Sequence, residues 1–555
     1  MKSIKEHIEP FAYPFLEHIL ERIDREWEET SLGGFKCKMD EGNFSLGTLI
    51  KCSVTLYLEG KNTEKSNLFK ERLLRLFDRI NEDTHFSTWG KKFLLEALVI
   101  LKNADEMHIL SDEKITLLKK LTDYGDFFDK EKVEIPKDSV LPTNYYHVAL
   151  TCAVQRELLG FENDGMSKKI GEKLLGIMKA NSGGWMDEVP PRGRFDSYSL
   201  SAYSHTYTSL CEIGMKDEVP SFITENIKES ALICLSMKNR AGHGFGYGRS
   251  LSVYGDSGNL SKTVFCIKND LVSGKEKDDA IAYCINICER LINFWFRKEE
   301  NFFDIWTRSR ATDCYRGPEV VLNLNLEITL GLISTLESFK EMGLENYIPK
   351  ENVSLPDKWE TRKTVFVDEK EKKRALYVLR RGDHTFSLPF VGMSSKSSLV
   401  NDAYFAFPHE AEFIEEPVWQ YQPFLVPEIL TKDGTIAILM EDFRSIEDEY
   451  GDDKITISAI GKLVAKDTTS TNIGFTAKYI FDGAKIKVEF NIDEPYESAR
   501  MLFSGAKTDH VRFIGAVSEE ISDVWDKKEF KSCCGGIKEC KTAFFKDKIG
   551  YEITL

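Results

Sequence analysis

The apolar residues of this chain keep one period over its first part and another over the rest. Up to about residue 345 they recur every three or four positions, as at Trp89, Phe93, Leu94, Ala97, Leu98 and Leu101, the spacing that gathers side chains on one helix face. Strand-like alternation is nearly absent there. Twelve segments carry the pattern, near 12–30, 45–60, 65–80, 88–102, 112–122, 144–160, 165–180, 197–214, 218–238, 259–272, 276–297 and 319–342. Gly183-Gly184 and Gly317-Pro318 punctuate them, the second placing Pro in the first turn of a helix that starts near Glu319. Twelve consecutive helices pair as hairpins, and the closed form of six hairpins is an (α/α)6 toroid around a central cleft.

The composition changes near Pro349–Pro356, and from Lys363 the period is two. KTVFVDEKEKKRALYVLRRGDHTFSLPFVG reads as strand, charged turn, strand, turn, strand. Asp482-Gly483 and Asp433-Gly434 each lie between alternating apolar runs, a strong hairpin signal. The sequence therefore predicts an α-plus-β chain: a toroid over residues 1–350 and an antiparallel β-sandwich over residues 351–555. No repeat of fixed period and no low-complexity stretch interrupts this plan.

Composition narrows the function classes. At 555 residues the chain exceeds the roughly 250–300 at which single cores stop growing. A net charge of −16 argues against general nucleic-acid binding and against attachment to an anionic membrane. It leaves an acidic substrate open, because one cleft can be basic on an acidic exterior. No apolar run reaches the roughly 18 residues of a membrane span, and the start, MKSIKEHIEPFAYPF, has no continuous apolar core of a signal peptide. A cytoplasmic protein acting on imported oligosaccharide is the expectation. The twelve cysteines form no disulfide framework. Cys284 and Cys288 fall on an apolar helix face and read as core; Cys533, Cys534 and Cys540 match no common zinc spacing. No metal and no cofactor are expected, and the oligomeric state is left open.

Against this background the stretch Gly242–Gly258 stands out. Six of its seventeen positions are glycine, interleaved with His243, Tyr247, Arg249, Tyr254 and Asp256, as where backbone bends sharply or approaches a ligand. Glycine punctuation of an ordinary inter-helix loop is the plainer reading. Three further clusters share its character: Asn144-Tyr145-Tyr146-His147; Trp185 through Arg192, Arg194, Asp196 and Tyr198 to Tyr203 and His205; and Trp306 through Arg310 and Asp313 to Tyr315. They recur about one helical hairpin apart, so that their side chains can converge on one mouth of a toroid. Trp and Tyr stack on sugar rings, Arg grips carboxylates, and Tyr, His and Asn suit proton abstraction beside a carboxylate with neutralisation of the enolate. Asn144 also suits a helix cap, and His147 and His205 suit satisfied core histidines.

Asn-Tyr-Tyr-His, Phe-Asp-Ser-Tyr-Ser-Leu, Gly-Arg-Ser-Leu-Ser-Val-Tyr and Ala-Tyr-Phe-Ala-Phe-Pro-His, with twelve helices before a β domain, resemble the heparinase II/III and alginate-lyase group of toroid polysaccharide lyases. The nearest branch carries the Gly-Arg-Ser-Leu motif. The resemblance implies β-elimination on an acidic glycan, with Asn144 or His147 at the substrate carboxylate, Tyr254 as base and acid, Arg249 as its electrostatic partner and His205 assisting. The chain has Asn144-Tyr145 where that group carries Asn-Asn-His or Asn-Trp. Trp185, Tyr198, Tyr203, His243, Tyr247, Trp306, Arg310, Tyr315 and His409 are the expected substrate contacts, His409 reaching over the mouth from the β domain. Two other classes fit: a hydrolase of glucuronides or unsaturated uronides using two of Asp187, Asp196, Asp256, Asp304, Asp313 and Glu319, and a non-catalytic glycan-binding protein.

Overall fold

The structure is a computed structural model and describes residues 2–27, 31–36, 45–136, 144–180, 197–237, 252–304, 320–350, 355–382, 384–391, 409–410, 425–465, 469–493, 496–504, 510–523 and 539–555. Its helices are α1 (Ile4–Arg25), α2 (Ser45–Gly60), α3 (Ser66–Asp78), α4 (Thr88–Asn103), α5 (Asp112–Leu121), α6 (Tyr145–Leu159), α7 (Met166–Ala180), α8 (Ser197–Glu212), α9 (Ser221–Ser236), α10 (Ser252–Lys268), α11 (Gly274–Arg290) and α12 (Val320–Glu341). The even-numbered ones form a ring: α2 packs on α4, α4 on α6, α6 on α8, α8 on α10, α10 on α12, and α12 returns to α2. Outside it, α3 lies on α2, α7 on α6, α9 on α8 and α11 on α10, while α1 spans α11, α12 and α2. The sequence assigns the layers. Inner α6 is buried without a break from Tyr145 to Arg156, whereas outer α3 buries only Phe69, Leu73, Leu76 and Phe77, as all-round contact and one-sided contact require.

Two helices start earlier than the apolar period indicates. Helix α1 begins at Ile4 because Ser3 and Glu6 close a capping box: Glu6 N–H donates to Ser3 Oγ at 3.3 Å, and Ser3 N–H to Glu6 Oε2 at 2.8 Å. Pro10 and Pro14 lie inside it. Each removes a helical hydrogen bond, and the buried stripe Ile4, Ile8, Ala12, Phe15, Leu16, Ile19 and Ile23 outweighs the loss. Helix α10 begins at Ser252 and not near 259, so Tyr254, Gly255, Asp256 and Gly258 are helical where a loop was expected. The cause is tertiary, and is given with the site below.

Among the described residues the only strands before α12 are two short hairpins, β1 (Ser31–Leu32) with β2 (Phe35–Lys36), and β3 (Phe296–Arg297) with β4 (Phe302–Phe303). After α12 come β5 (Glu360–Glu369), β6 (Lys372–Arg381), β7 (His384–Phe390) and β8 (His409–Glu410), an antiparallel sheet in that order. A second sheet holds β9 (Glu428–Thr431), β10 (Ile436–Tyr450), β11 (Lys454–Ala465), β12 (Ser470–Asp482), β13 (Lys485–Ile492), β14 (Tyr496–Ser504), β15 (Val511–Asp523) and β16 (Glu539–Thr554), in the order β13-β12-β11-β10-β9-β14-β16-β15. The Asp482-Gly483 and Asp433-Gly434 signals both mark real turns, with positive φ at Gly483 and Gly434.

This second sheet corrects the expected sandwich, because it closes on itself. Strand β16 changes partner along its length: Cys540–Phe545 pair with β14, and Ile549–Thr554 pair with β13. Closure satisfies two edges that an open sandwich would expose. The four-stranded sheet lies between the two cores, and the two-residue period of β6 assigns its faces. Leu376 and Val378 join the helical core, whereas Ala375, Tyr377 and Leu379 join the core of the closed sheet. Polar contacts fasten the same junction, with Arg362 donating to Glu229 Oε2 at 3.0 Å and to Ser236 Oγ at 3.2 Å. No helix among the described residues is long and apolar enough to cross a membrane.

Candidate functional site

The helical ring encloses a cavity of about 410 Å³ to which all six inner helices contribute. Much of its lining is small and hydroxylic, with Ser201 and Ser204 from α8, Ser257 and Ser261 from α10, and Ser334 and Ser338 from α12. Such a surface is matched to a polyol, since each hydroxyl both donates and accepts. Chemistry enters from α4, α6 and α8.

Asn144 stands at the N-cap of α6 and His147 in its first turn. Asn144 makes no capping hydrogen bond, so the capping role does not account for it. It is 3% exposed, and its Oδ1 has no partner among the described residues. His147 is 1% exposed; its Nδ1 lies 3.2 Å from Thr206 Oγ1, and its Nε2 has no partner among the described residues. Buried polar atoms are ordinarily satisfied, and these two line the cavity, where a ligand would supply the bonds. His205, on α8, also lines it, its ring 5.3 Å from that of His147 and inclined by 34°. Burial, then His205 and Lys92, hold His147 well below the usual histidine range. His205, exposed toward the cavity yet enclosed by the ring, is lowered to about 4 by the desolvation of its site and by Lys92. Both rings are therefore neutral near pH 7 and can each accept one proton.

A group that pattern reading passed over completes this wall. Glu96 of α4 accepts from Lys51 Nζ of α2 at 2.7 Å and from Lys92 Nζ of α4 at 2.6 Å. Burial raises the Glu96 carboxyl, but the two ammonium groups overcome it and hold the group far below the carboxylate range, so it stays ionised and cannot serve as a proton donor. The signal was available in Lys91-Lys92-Phe93-Leu94-Leu95-Glu96: charges four apart set into a helix face that otherwise reads as core.

Helix α10 owes its early start to Asp256, whose Oδ2 accepts from Arg290 Nε and from Trp295 Nε1, both at 2.9 Å. That buried anchor outweighs the helix cost of Gly255 and Gly258. Position 254 lies three and four residues before Ser257 and Gly258, which line the cavity, one helical turn back along the same face of α10. Asp304, wholly buried, pairs with Arg297 at 2.5 Å. Two of the carboxylates expected for hydrolysis are thus committed to structural pairs.

Of the remaining expected contacts, Tyr203 is completely buried in the helical core and is not among the cavity-lining residues. Asp187, Trp185, Asp196, His243, Tyr247, Arg249, Trp306, Arg310, Asp313, Tyr315 and Glu319 lie outside the described residues, as do Cys533 and Cys534 and the side chains of Tyr198, Tyr254, His409 and Cys540. Position 409 is in β8, paired with Ser387 of β7. Cys284 and Cys288 are fully buried, as an apolar face requires.

No protein-family profile matches the chain, and no curated protein matches it. Among solved structures it is similar to an unsaturated glucuronyl hydrolase from Bacillus sp. GL1, described as responsible for the degradation of glycosaminoglycan. The TM-score is 0.42 and the identity 10%, over 62% of this chain and 100% of that one. It is also similar to heparinase III (TM-score 0.33, 10% identity, 99% of this chain and 90% of that one) and to a heparan sulfate lyase mutant from Pedobacter heparinus (0.30, 6%, 92% and 76%). No functional statement rests on likenesses of this size.

Proposed function

We propose that the chain is an enzyme that cleaves uronic-acid-containing oligo- or polysaccharides by β-elimination in the central cavity of the helical ring, residues 1–350 forming the reacting unit and 351–555 a β domain packed on it. The observation that carries the reading is the pair Asn144 and His147, which both line the hydroxyl-rich cavity from the start of α6, each with a buried polar atom, Oδ1 and Nε2, that has no partner among the described residues. In this reading the Asn144 amide and the His147 imidazole hold the substrate carboxylate. An amide can present its nitrogen or its oxygen by a half-turn, and a neutral imidazole can present an N–H. With the carboxylate so held, the negative charge that develops when the neighbouring carbon loses its proton is spread onto hydrogen-bond donors. Tyr254 takes the proton from the first turn of α10, where the helix N-terminus favours a tyrosinate, with Arg249 as its cation. Tyr254 then returns that proton to the leaving oxygen, acting as base and acid in turn, and His205, neutral throughout, assists by a hydrogen bond.

Among the described residues, elimination is supported by the state of three carboxylates: Asp256 and Asp304 are bound to arginines, and Glu96 is held ionised by two lysines, whereas a hydrolase needs one carboxyl that can donate a proton; Asp187, Asp196, Asp313 and Glu319 lie outside the described residues. Tyr254→Phe keeps the ring and removes the proton acceptor, so turnover should fall by roughly 10²–10⁴ with binding intact. Uronic-acid oligosaccharides serve as substrates, read by ultraviolet absorbance of an unsaturated product beside reducing ends. Saturated products alone, with a Tyr254→Phe enzyme of near-normal rate, would replace elimination by glucuronide hydrolysis.

A further inference from the structure

We propose that the α2/α4 wall of the cavity is an oxyanion subsite, in which the ammonium groups of Lys51 and Lys92, held by Glu96 beside Phe93 and Trp89, take the carboxylate or sulfate of a bound sugar. The inference rests on the reading of the cavity as a glycan site. It assigns the substrate's charge to residues other than those placed at the reacting carbon.

Three observations carry it. The first is a donor count: an ammonium has three N–H groups, and among the described residues each of these two has a single side-chain acceptor, Glu96. The side chain of Lys92 is only 5% exposed and that of Lys51 23%, yet both line the cavity. Each ammonium thus keeps donors that a ligand in the cavity could take up. One carboxylate between two ammonium groups also leaves one positive charge for an incoming oxyanion to match.

The second observation is the surface around them. Lys92 Nζ sits 4.9 Å from the Phe93 ring centre and 5.8 Å from that of Trp89, and Lys51 Nζ sits 5.7 Å from Phe93. The half-buried Trp89 lines the cavity beside them. An aromatic face next to a fixed cation suits a sugar ring that carries an anion.

The third is the inventory of other charges on the lining. Among the described lining residues Lys268 is exposed and pairs with Glu341 at 2.5 Å, and both histidines are neutral, which leaves Lys51 and Lys92 as the cations inside the ring; Glu327, the second carboxylate of the lining, accepts from Asn323 on its own helix. Helix α6, with the orphaned Asn144 Oδ1 and His147 Nε2, packs against α4. A charged sugar on the lysines thus lies beside the one whose carboxylate Asn144 and His147 hold.

The test is isothermal titration of the full chain with glucuronate, N-acetylglucosamine 6-sulfate and glucose. The parent should bind the charged sugars more tightly than glucose, and whichever of the two binds better identifies the oxyanion. Lys92→Met and Lys51→Met should each weaken the charged sugar by about 10- to 100-fold, the loss expected of a charge-assisted hydrogen bond, and leave glucose unchanged. Lys92→Arg should keep most of the affinity. If Lys92→Met does not fold, the more exposed Lys51→Met decides. A folded Met variant that binds charged sugars like the parent overturns the subsite, as does a parent that does not distinguish them from glucose. Binding is read without turnover, so an inert protein that selects glucuronate would lose the proposed reaction and keep the subsite. An active one whose KM is unmoved by Lys51→Met would do the reverse.

Discussion

Glu96 is a group whose removal the fold should tolerate poorly. In the native chain its two oxygens each hold an ammonium, Lys51 at 2.7 Å and Lys92 at 2.6 Å, with the Glu96 side chain 15% exposed. Glu96→Gln preserves shape and one acceptor but deletes the charge. Two ammonium groups held on one carboxylate are roughly 6 Å apart, and at an effective dielectric of about 20 they repel by about 3 kcal/mol. That figure lies within the roughly 3–5 kcal/mol lost when one partner of a buried pair is removed. Lys92→Met should cost less, because Lys51 and Glu96 remain paired and the repulsion disappears. The decisive comparison is the double variant: Glu96→Gln with Lys92→Met should be more stable than Glu96→Gln alone by about 2 kcal/mol, within the usual range of coupling energies between contacting residues. Urea unfolding followed by far-ultraviolet circular dichroism reads all four proteins, and the ranking should survive added salt because the charges are buried. A double variant less stable than Glu96→Gln would show that the two lysines do not repel, and would refute the argument.

Further outcomes follow from other contacts. Since burial depresses His147, the unfolded chain binds a proton that the folded one refuses, so stability is complete above about pH 6.5 and declines as pH falls from there. Urea midpoints across that window should show a shallower slope in His147→Gln, and an unchanged slope would remove His147 from the account. Asp256→Asn should destabilise the chain by about 3–5 kcal/mol and speed amide exchange in the first turns of α10, because the buried Arg290 loses its counter-charge and the oxygen it shares with Trp295 becomes that of an uncharged amide; protection equal to the parent's would deny Asp256 its anchoring role. A Cβ on Gly47 would run into the Gly90 carbonyl oxygen where α2 meets α4, so Gly47→Ala should cost about 1–3 kcal/mol and weaken sugar binding by spreading Lys51 from Glu96. Unchanged stability there would mean that the two helices can move apart freely.

How much of this could be read without coordinates depends on the range of the interaction involved. The apolar period placed all twelve helices and the turn to β structure, because burial of a helix face or a strand face is written locally, every three to four residues or every second one. The turn glycines at 434 and 483 were legible for the same reason. Asn144, His147 and His205 were visible as candidates by residue type, but that the Asn144 side chain makes no capping hydrogen bond became clear only from the start of α6. The start of α10 defied its glycines because Asp256 is held by residues 34 and 39 positions away, a contact no local window contains. The closed second sheet likewise depended on β16 reaching both β14 and β13. Lys51, Lys92 and Glu96 became a group only when α2 and α4 came together, since a charge on an apolar helix face has no meaning until its partner on another helix is known.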